Sequence, residues 1–321
     1  MSRPTIVELA DEHLDAAAEL LAARHQAQRR VESGLDAAYE APAAARSEIE
    51  SERGRAGASG VVAVAGERIV GFLVGAPLDE TWGPNVWIPP AGHAVTEPEL
   101  IRDLYAAAAE HWVAEGLTSH YAMVPATDPE LVNAWFRLGF GHQHVHAIRE
   151  TPGPGEDGGA PGIELRRARR EDIDALAALD LALPRHQALS PVFSRLPLPS
   201  LEESRAEWEN DFDDARFTTF VAERDGEVVG SAVGCAIELS PTHTSLALPR
   251  GSAFLAFAVV FPEKRGGGAG RALGEQVLAW ARDAGHAHVV TDWRMTNLTS
   301  SRTWPRLGFR PTFYRLFRAI A

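Results

Sequence analysis

The sequence lacks what several classes of protein require. Cys235 is the single cysteine among 321 residues, so no internal disulfide can form and a reducing compartment is expected. No apolar run approaches the length of a membrane span, and residues 1–21 lack the basic segment and cleavage site of a signal peptide. These absences favour a cytoplasmic protein with no membrane partner.

An excess of basic residues is also missing. The formal net charge is -13, because 31 Lys and Arg stand against 44 Asp and Glu. Nucleic-acid binding needs a basic face, so we expect no nucleic acid among the partners. What the chain does have is length and apolar content, since 321 residues at 45% hydrophobic exceed the usual size of one core.

A segment of linker-like composition divides the chain into two similar halves. Residues 151–162 consist mainly of Pro, Gly and acids, which predicts a flexible connection between domains 1–150 and 163–321. The hairpin signal ending at Gly71 returns at Gly230, 159 positions later, and the Leu-Gly-Phe turn at Gly139 returns at Gly308, 169 positions later. This recurrence indicates an internal duplication.

The second half contains a strand, a glycine-rich loop and a helix in succession. The near-continuous apolar run Ala253–Phe261 predicts a central strand, and residues 271–284 have helical periodicity that ends at Gly285. Between them, Gly266, Gly267, Gly268 and Gly270 let the backbone approach a ligand without Cβ obstruction. Together with a helix N-terminus, such a loop is suited to a pyrophosphate, although a plain surface turn is the alternative.

The loop's spacing fits neither the dinucleotide fingerprint nor the Walker loop. Arg265-x-x-Gly268-x-Gly270, after a strand ending Val259-Val260-Phe261-Pro262, resembles instead the pyrophosphate signature of the GNAT N-acetyltransferases. The segment from His288 through Asn297 to the Trp304–Phe309 turn is similar to the part of that family that flanks the pantetheine arm. The resemblance covers most of residues 163–321.

This resemblance implies an α/β (α+β) fold of two tandem GNAT-like domains, each a mixed, mostly antiparallel sheet flanked by helices. It implies acetyl-CoA as cosubstrate, no metal, and direct transfer to a primary amine of a small molecule or peptide. The residues expected to contact the cofactor are Val259, Val260, Phe261, Arg265, Gly266, Gly267, Gly268, Ala269, Gly270, Arg271, Asn297, Ser300 and Arg302.

The first half has the same order of predicted elements as the second half but lacks the glycine loop. At the 169-residue offset the glycine positions correspond to 97–101, which contain Pro98 and the carboxylates Glu97 and Glu99. Proline removes a donor, and carboxylates repel a pyrophosphate. We therefore expect a degenerate GNAT copy that does not bind CoA in the usual way.

The catalytic positions depart from the family's pattern. Trp304 stands where many members have the Tyr that protonates the thiolate, and an indole N–H is no acid near neutral pH, so packing is its simpler role. Residues 254–261 contain no carboxylate, which leaves Asp292 as the nearest candidate for the base. By alternation Asp292 and Arg294 face the same side of their strand, where both are expected to contact the substrate; a salt bridge between them is the structural alternative. Glu238 and His243 are further candidates for base and substrate contact.

A second interpretation remains open. The same two departures are what a non-catalytic acyl-CoA-binding sensor or regulatory protein would have, since its cradle would bind the cofactor without chemistry. Thiol release with an amine would separate the two interpretations.

Overall fold

The computed structural model describes residues 4–78, 82–156, 158–194 and 197–321, which fall into two compact units. The first unit holds the chain up to His146 together with His243–Pro249 and Pro311–Ala321. The second holds Ala147–Thr242 and Arg250–Arg310. The division thus lies four residues before the predicted boundary at 150, and the last eleven residues belong to the first unit. The predicted limits 1–150 and 163–321 stay a prediction.

The first unit contains two groups of paired strands flanked by helices. Strands β1, β2, β3 and β5 pair antiparallel in that order, while β6 pairs with β4 in parallel and with β13 antiparallel. The strands are β1 (Thr5–Glu8), β2 (Ser59–Ala65), β3 (Arg68–Gly75), β4 (Asn85–Ile88), β5 (His93–Val95), β6 (Ser119–Pro125), β7 (Gly141–Glu150, which crosses into the second unit) and β13 (Arg310–Ala319, which starts in the second unit). The helices are α1 (Leu14–Val31), α2 (Pro42–Arg53), α3 (Leu100–Ala114) and α4 (Pro129–Phe136).

The second unit repeats much of this order. Its strands pair in the order β12, β11, β10, β9, β8, with a parallel step only between β11 and β12. The strands are β8 (Glu164–Arg167), β9 (Phe217–Arg224), β10 (Glu227–Ala236), β11 (Ala253–Val260) and β12 (His288–Arg294). The helices are α5 (Ile173–Gln187), α6 (Leu201–Asp211), α7 (Ala269–Asp283) and α8 (Leu298–Arg306).

The predicted strand, loop and helix are all present. β11 lies between β10 and β12, and α7 buries Leu273, Val277 and Leu278 on one face as the periodicity predicts. Gly285 ends the helix in the left-handed conformation with φ 86°. The apolar run of β11 predicts that both of its faces are covered, and this is wrong at Ala256, which is exposed.

The described part of the linker segment lies against the second unit. Thr151 donates from its backbone N–H to Ala287 O at 3.0 Å, and Arg282 Nη1 donates to Gly153 O at 3.1 Å. A Cβ at Gly268 would come within 2.9 Å of the Ala160 methyl carbon, so the segment's far end borders the glycine loop. These contacts place much of 151–162 beside α7.

A half-buried carboxyl between α5 and α6 is expected to make the stability of this unit depend on pH. Trp208 Nε1 donates to Asp180 Oδ2 at 2.5 Å, and burial raises the pKa of Asp180 to about 6. Because the folded pKa exceeds the unfolded one, this carboxyl's contribution to stability is complete below the unfolded value and is lost as the pH rises through about 6.

We expect Asp180→Asn to raise the free energy of unfolding at pH 7 by about 1 kcal/mol and to leave it unchanged at pH 4. The amide carbonyl still accepts from Trp208, so only the ionisation is removed. Urea unfolding at several pH values checks this. An equal difference at pH 4 and pH 7 would contradict the assignment.

None of the helices in these described ranges has the length and apolar character that crossing a membrane requires.

Candidate functional site

A groove of about 350 Å³ in the second unit contains most of the predicted cofactor residues. It lies where the glycine loop, the end of β11, the start of α8 and the last turn of α5 meet. Its lining comprises Leu183, His186, Ala258, Val259, Val260, Lys264, Arg265, Gly266, Gly268, Ala269, Gly270, Arg271, Asn297, Thr299, Ser300, Thr303, Trp304 and Arg306.

The glycine loop is shaped by left-handed backbone at two positions. Gly266 and Gly268 both have φ 86°, a conformation that side chains with a Cβ rarely adopt. Gly268 is the N-cap of α7, and its carbonyl accepts the first intrahelical bond, from Ala272 N at 3.0 Å. The N–H groups of the first turn have no intrahelical acceptor, so this end of the groove favours an anion.

The strand beside the loop offers a backbone edge to the groove. The parallel pairing of β11 with β12 ends at Leu255 and Thr291, although β11 runs on to Val260 and β12 to Arg294. Val259 and Val260 lie in this diverging stretch and line the groove. An extended ligand with amide groups can pair with such an edge in place of a strand.

Arg265 reaches back from the loop toward β11 and α5. Its Nε donates to Val260 O at 3.2 Å and its Nη1 to His186 Nδ1 at 3.3 Å. Burial lowers the pKa of the Arg265 guanidinium below its ordinary value, and Glu263 opposes that change. The guanidinium is thus held at the groove wall, within the site that the sequence assigned to it.

Asn297 and Trp304 form the α8 side of the groove. Asn297 is buried and caps the helix, because its Oδ1 accepts from Thr299 N at 3.2 Å and from Ser300 N at 3.4 Å. Trp304 is 7% exposed and packs edge-on against Phe309, with ring centroids 6.0 Å apart.

Three predicted cofactor residues lie outside the groove lining. Gly267 faces Arg224 of β9, Phe261 packs in a small apolar cluster with Val259, and Arg302 is on the exposed side of α8. Thr303 and Arg306 of the same helix line the groove instead.

The predicted catalytic residues are spread over different environments. Asp292 is the first β12 residue beyond the last pair with β11, and its Oδ2 accepts from Thr242 Oγ1 at 3.4 Å. Arg294 lies two residues further along β12 and faces the same side of the strand as Asp292. Its Nε donates to Gln187 Oε1 at 3.0 Å. Glu238 Oε1 accepts from Gly251 N at 2.9 Å, which fixes a loop.

His243 belongs to the first unit rather than to the unit that holds the groove. It is buried, and its ring centroid lies 4.2 Å from that of His146. Among the described residues, no group of three His, Cys, Asp or Glu side chains is arranged to hold a metal ion.

Sequence reasoning missed the α5 contribution to the groove. Leu183 and His186 are far from the loop in sequence and carry no motif, so only folding brings them to it. Lys264 was detectable, because it directly precedes Arg265 and the loop.

The equivalent region of the first unit is filled by its own side chains. Tyr105 of α3 stands at the position of Gly274 in α7, and its ring packs 5.7 Å from that of Trp135, the equivalent of Trp304. Burial raises the pKa of Tyr105 to about 12, so the phenol stays protonated and pairs with His120. A Cβ at Gly274 would lie 2.8 Å from Leu307 Cδ1, so the equivalent position of the second unit is closely packed as well.

An arginine occupies the strand edge in the first unit. Arg24 of α1, the equivalent of Leu183, donates to the carbonyls of His93 and Pro90. By the shared hairpin register, His93 corresponds to Ala258, a groove residue of the second unit. Burial lowers the pKa of Arg24 to about 9, which still leaves it charged near neutral pH.

The comparisons with known proteins agree with this geometry. The model of the acetyltransferase (GNAT) family matches residues 184–309. This segment is a GNAT acetyltransferase domain. It includes the glycine loop, the diverging strands and α8, while the search of curated proteins gave no match to the chain.

Solved structures resemble the chain over its whole length. A GCN5-related N-acetyltransferase from Sphaerobacter thermophilus is 16% identical with a TM-score of 0.58, over 99% of this chain and 96% of that one. A glucosamine N-acetyltransferase region of a fungal multi-domain GH3 beta-N-acetylglucosaminidase is 17% identical with a TM-score of 0.50, over 99% and 38%. A tandem GNAT protein from the clavulanic acid biosynthesis pathway is 18% identical with a TM-score of 0.47, over 98% and 97%.

At these identities the likeness concerns the fold alone. It extends over both units, so the predicted fold class, mixed sheets flanked by helices in a GNAT-like arrangement, is confirmed.

Proposed function

We propose that the chain is an acetyl-CoA-dependent N-acetyltransferase that transfers the acetyl group directly to a primary amine of a small molecule or peptide. The observation that carries this proposal is the single groove in which the glycine loop, the N-terminus of α7 and the free edge of β11 meet. A diphosphate and an amide-containing arm are the two chemical parts that this groove suits, and CoA has both.

Different walls of the groove bind different parts of the cofactor. The N–H groups that begin α7 and the side chain of Arg265 face the pyrophosphate, while Val259 and Val260 pair with the pantetheine amides. Asn297 and Ser300, which line the groove at the start of α8, lie on the other side of the pantetheine arm. Trp304 is a packing surface for the arm rather than an acid, because its indole N–H does not ionise near neutral pH.

The transfer itself has three requirements, of which the protein meets the first two and water the third. Asp292 takes the proton from the acceptor ammonium, which frees a lone pair to attack the thioester carbonyl carbon. Backbone N–H groups where β11 and β12 diverge stabilise the oxyanion as the C–N bond forms. The C–S bond then breaks, and the thiolate receives its proton from water. Asp292 fits the first role because it lies where the two strands part.

We expect one equivalent of acetyl-CoA to bind per chain. The second unit has the groove, whereas in the first unit Arg24 donates to the backbone of the strand that corresponds to the groove's edge. Isothermal titration calorimetry with acetyl-CoA measures the stoichiometry. Two equivalents would contradict the assignment of the first unit as a degenerate copy, and no binding would contradict the proposed function.

A second experiment tests whether the chain transfers the acetyl group. Acetyl-CoA is incubated with a panel of primary amines, the free thiol is measured with a disulfide reagent, and the acetylated amine is identified by mass. Amine-dependent thiol release supports the transferase. Tight binding without release for any amine would favour the alternative, a non-catalytic acyl-CoA sensor, in which Trp304 and the absence of a carboxylate in β11 mark lost chemistry.

A further inference from the structure

The hairpin formed by β9 and β10 holds the glycine loop at two points. Arg224, the last residue of β9, donates from Nη2 to Gly267 O at 3.0 Å. Three residues later Glu227 pairs with Lys264, with Oε2 and Nζ 2.9 Å apart. The turn between them has Asp225 and Gly226 at φ 54° and 79°, a tight connection that keeps the two contacts in register.

The bond from Arg224 fixes the direction of one peptide group. In a planar trans peptide the C=O of Gly267 and the N–H of Gly268 point to opposite sides. Because Arg224 holds the carbonyl on the hairpin side, the Gly268 N–H is turned to the groove side. Gly268 lines the groove in the described structure, whereas Gly267 is not among its lining residues.

The same contact explains why residue 267 is a glycine. A Cβ there would overlap the guanidinium of Arg224, so any larger residue would displace the arginine or the loop. The glycine at 267 is therefore needed for Arg224 to approach the backbone, a different reason from the left-handed backbone at Gly266 and Gly268.

The first unit provides an internal comparison. Its equivalent hairpin has Ala65 in place of Arg224 and Arg68 in place of Glu227, in the same paired register. This is the unit in which the glycine loop is replaced by residues 97–101. The arginine and the glycine loop therefore occur together in one unit and are both missing from the other.

We propose that Arg224 is a positioning residue for the pyrophosphate of acyl-CoA, acting through the Gly267–Gly268 peptide rather than by touching the ligand. This inference rests on the proposed function. It adds a determinant on β9, outside the loop and helix, that orients a donor for the diphosphate before the ligand arrives.

Calorimetry with CoA and with 3′-dephospho-CoA tests the proposal. We expect Arg224→Ala to weaken both ligands by the same factor, about tenfold, because the lost donor faces the pyrophosphate that both share. Arg224→Lys, which keeps a cation able to reach the carbonyl, should regain part of the affinity. Arg216→Ala is the matched control: it removes the same charge just before β9, where Arg216 pairs with Asp214, and should leave affinity unchanged.

A double-mutant cycle distinguishes the loss of the Arg224 contact from a general loss of folding in an unstable variant. Gly267→Ala puts a methyl against the guanidinium, so it should weaken CoA binding in the native background but add nothing once Arg224 is alanine. Thermal unfolding of each variant, compared with Arg216→Ala, shows whether the fold is kept.

Each outcome decides between interpretations. Native affinity in Arg224→Ala, or additive losses in the cycle, would overturn the positioning role while leaving CoA binding by the native chain intact. A loss seen with CoA but not with 3′-dephospho-CoA would overturn it in favour of direct contact with the 3′-phosphate. Failure of the native chain to bind CoA would overturn the proposed function and this inference together.

Discussion

Gly270→Glu is expected to weaken acetyl-CoA binding by at least about a hundredfold, because it places a carboxylate where the pyrophosphate should lie. Gly270 is the second residue of α7 and lines the groove. A Cβ there meets only Val260 Cγ2, at 3.5 Å, which is ordinary van der Waals contact, and its φ is not left-handed. The variant should therefore fold normally, so that the loss reports on charge.

Gly270→Ala is the matched control at the same position. It adds the same Cβ without the charge and should keep affinity within about threefold, while alanine raises helix propensity. Gly268→Glu is a poorer probe, because φ 86° and the nearby Ala160 strain any side chain at that position. Calorimetry measures the affinities. Native-like binding by Gly270→Glu would mean that the diphosphate does not lie at the start of α7.

Asp292→Asn is expected to lower kcat about a hundredfold at neutral pH while leaving KM for acetyl-CoA nearly unchanged. The amide keeps the size and the contact with Thr242 but cannot accept the ammonium proton. Glu238→Gln is the comparison, since Glu238 holds the Gly251 N–H and should affect turnover little. Steady-state kinetics with the best amine from the screen gives both constants.

The opposite pattern would reassign the base. If Glu238→Gln abolished turnover and Asp292→Asn did not, Glu238 would be the better candidate. Equal, small effects of both would point to water as the proton acceptor, with neither carboxylate needed.

The glycine loop is the feature of the candidate site that local sequence predicted best. Its position between a strand and a helix, and the Leu-Gly-Phe turn that follows, were enough to predict the glycine-rich end of the groove and, through the family resemblance, the fold class. Asn297 was likewise placed at the start of α8 by its motif. Such features are local, because they depend on backbone conformation within about ten residues.

The degenerate first unit shows where sequence reached its limit. The carboxylates at 97–101 predict that a phosphate site is lost, and this stays a prediction; in the structure Glu99 pairs with Arg102 and Arg137. That Arg24 covers the strand edge and that Tyr105 packs against Trp135 was not predictable. Both side chains resemble ordinary residues of amphipathic helices until their partners are known.

The sequence by itself determined the succession of strand, glycine-rich loop and helix in the second half, because these elements follow from short-range backbone geometry. Only the tertiary structure decided that most of the last strand belongs to the first unit, that His186 of α5 lines the groove, and that Arg224 contacts the glycine loop. Each of these joins residues more than forty positions apart. No local periodicity encodes such contacts, since they arise from how the packed elements meet.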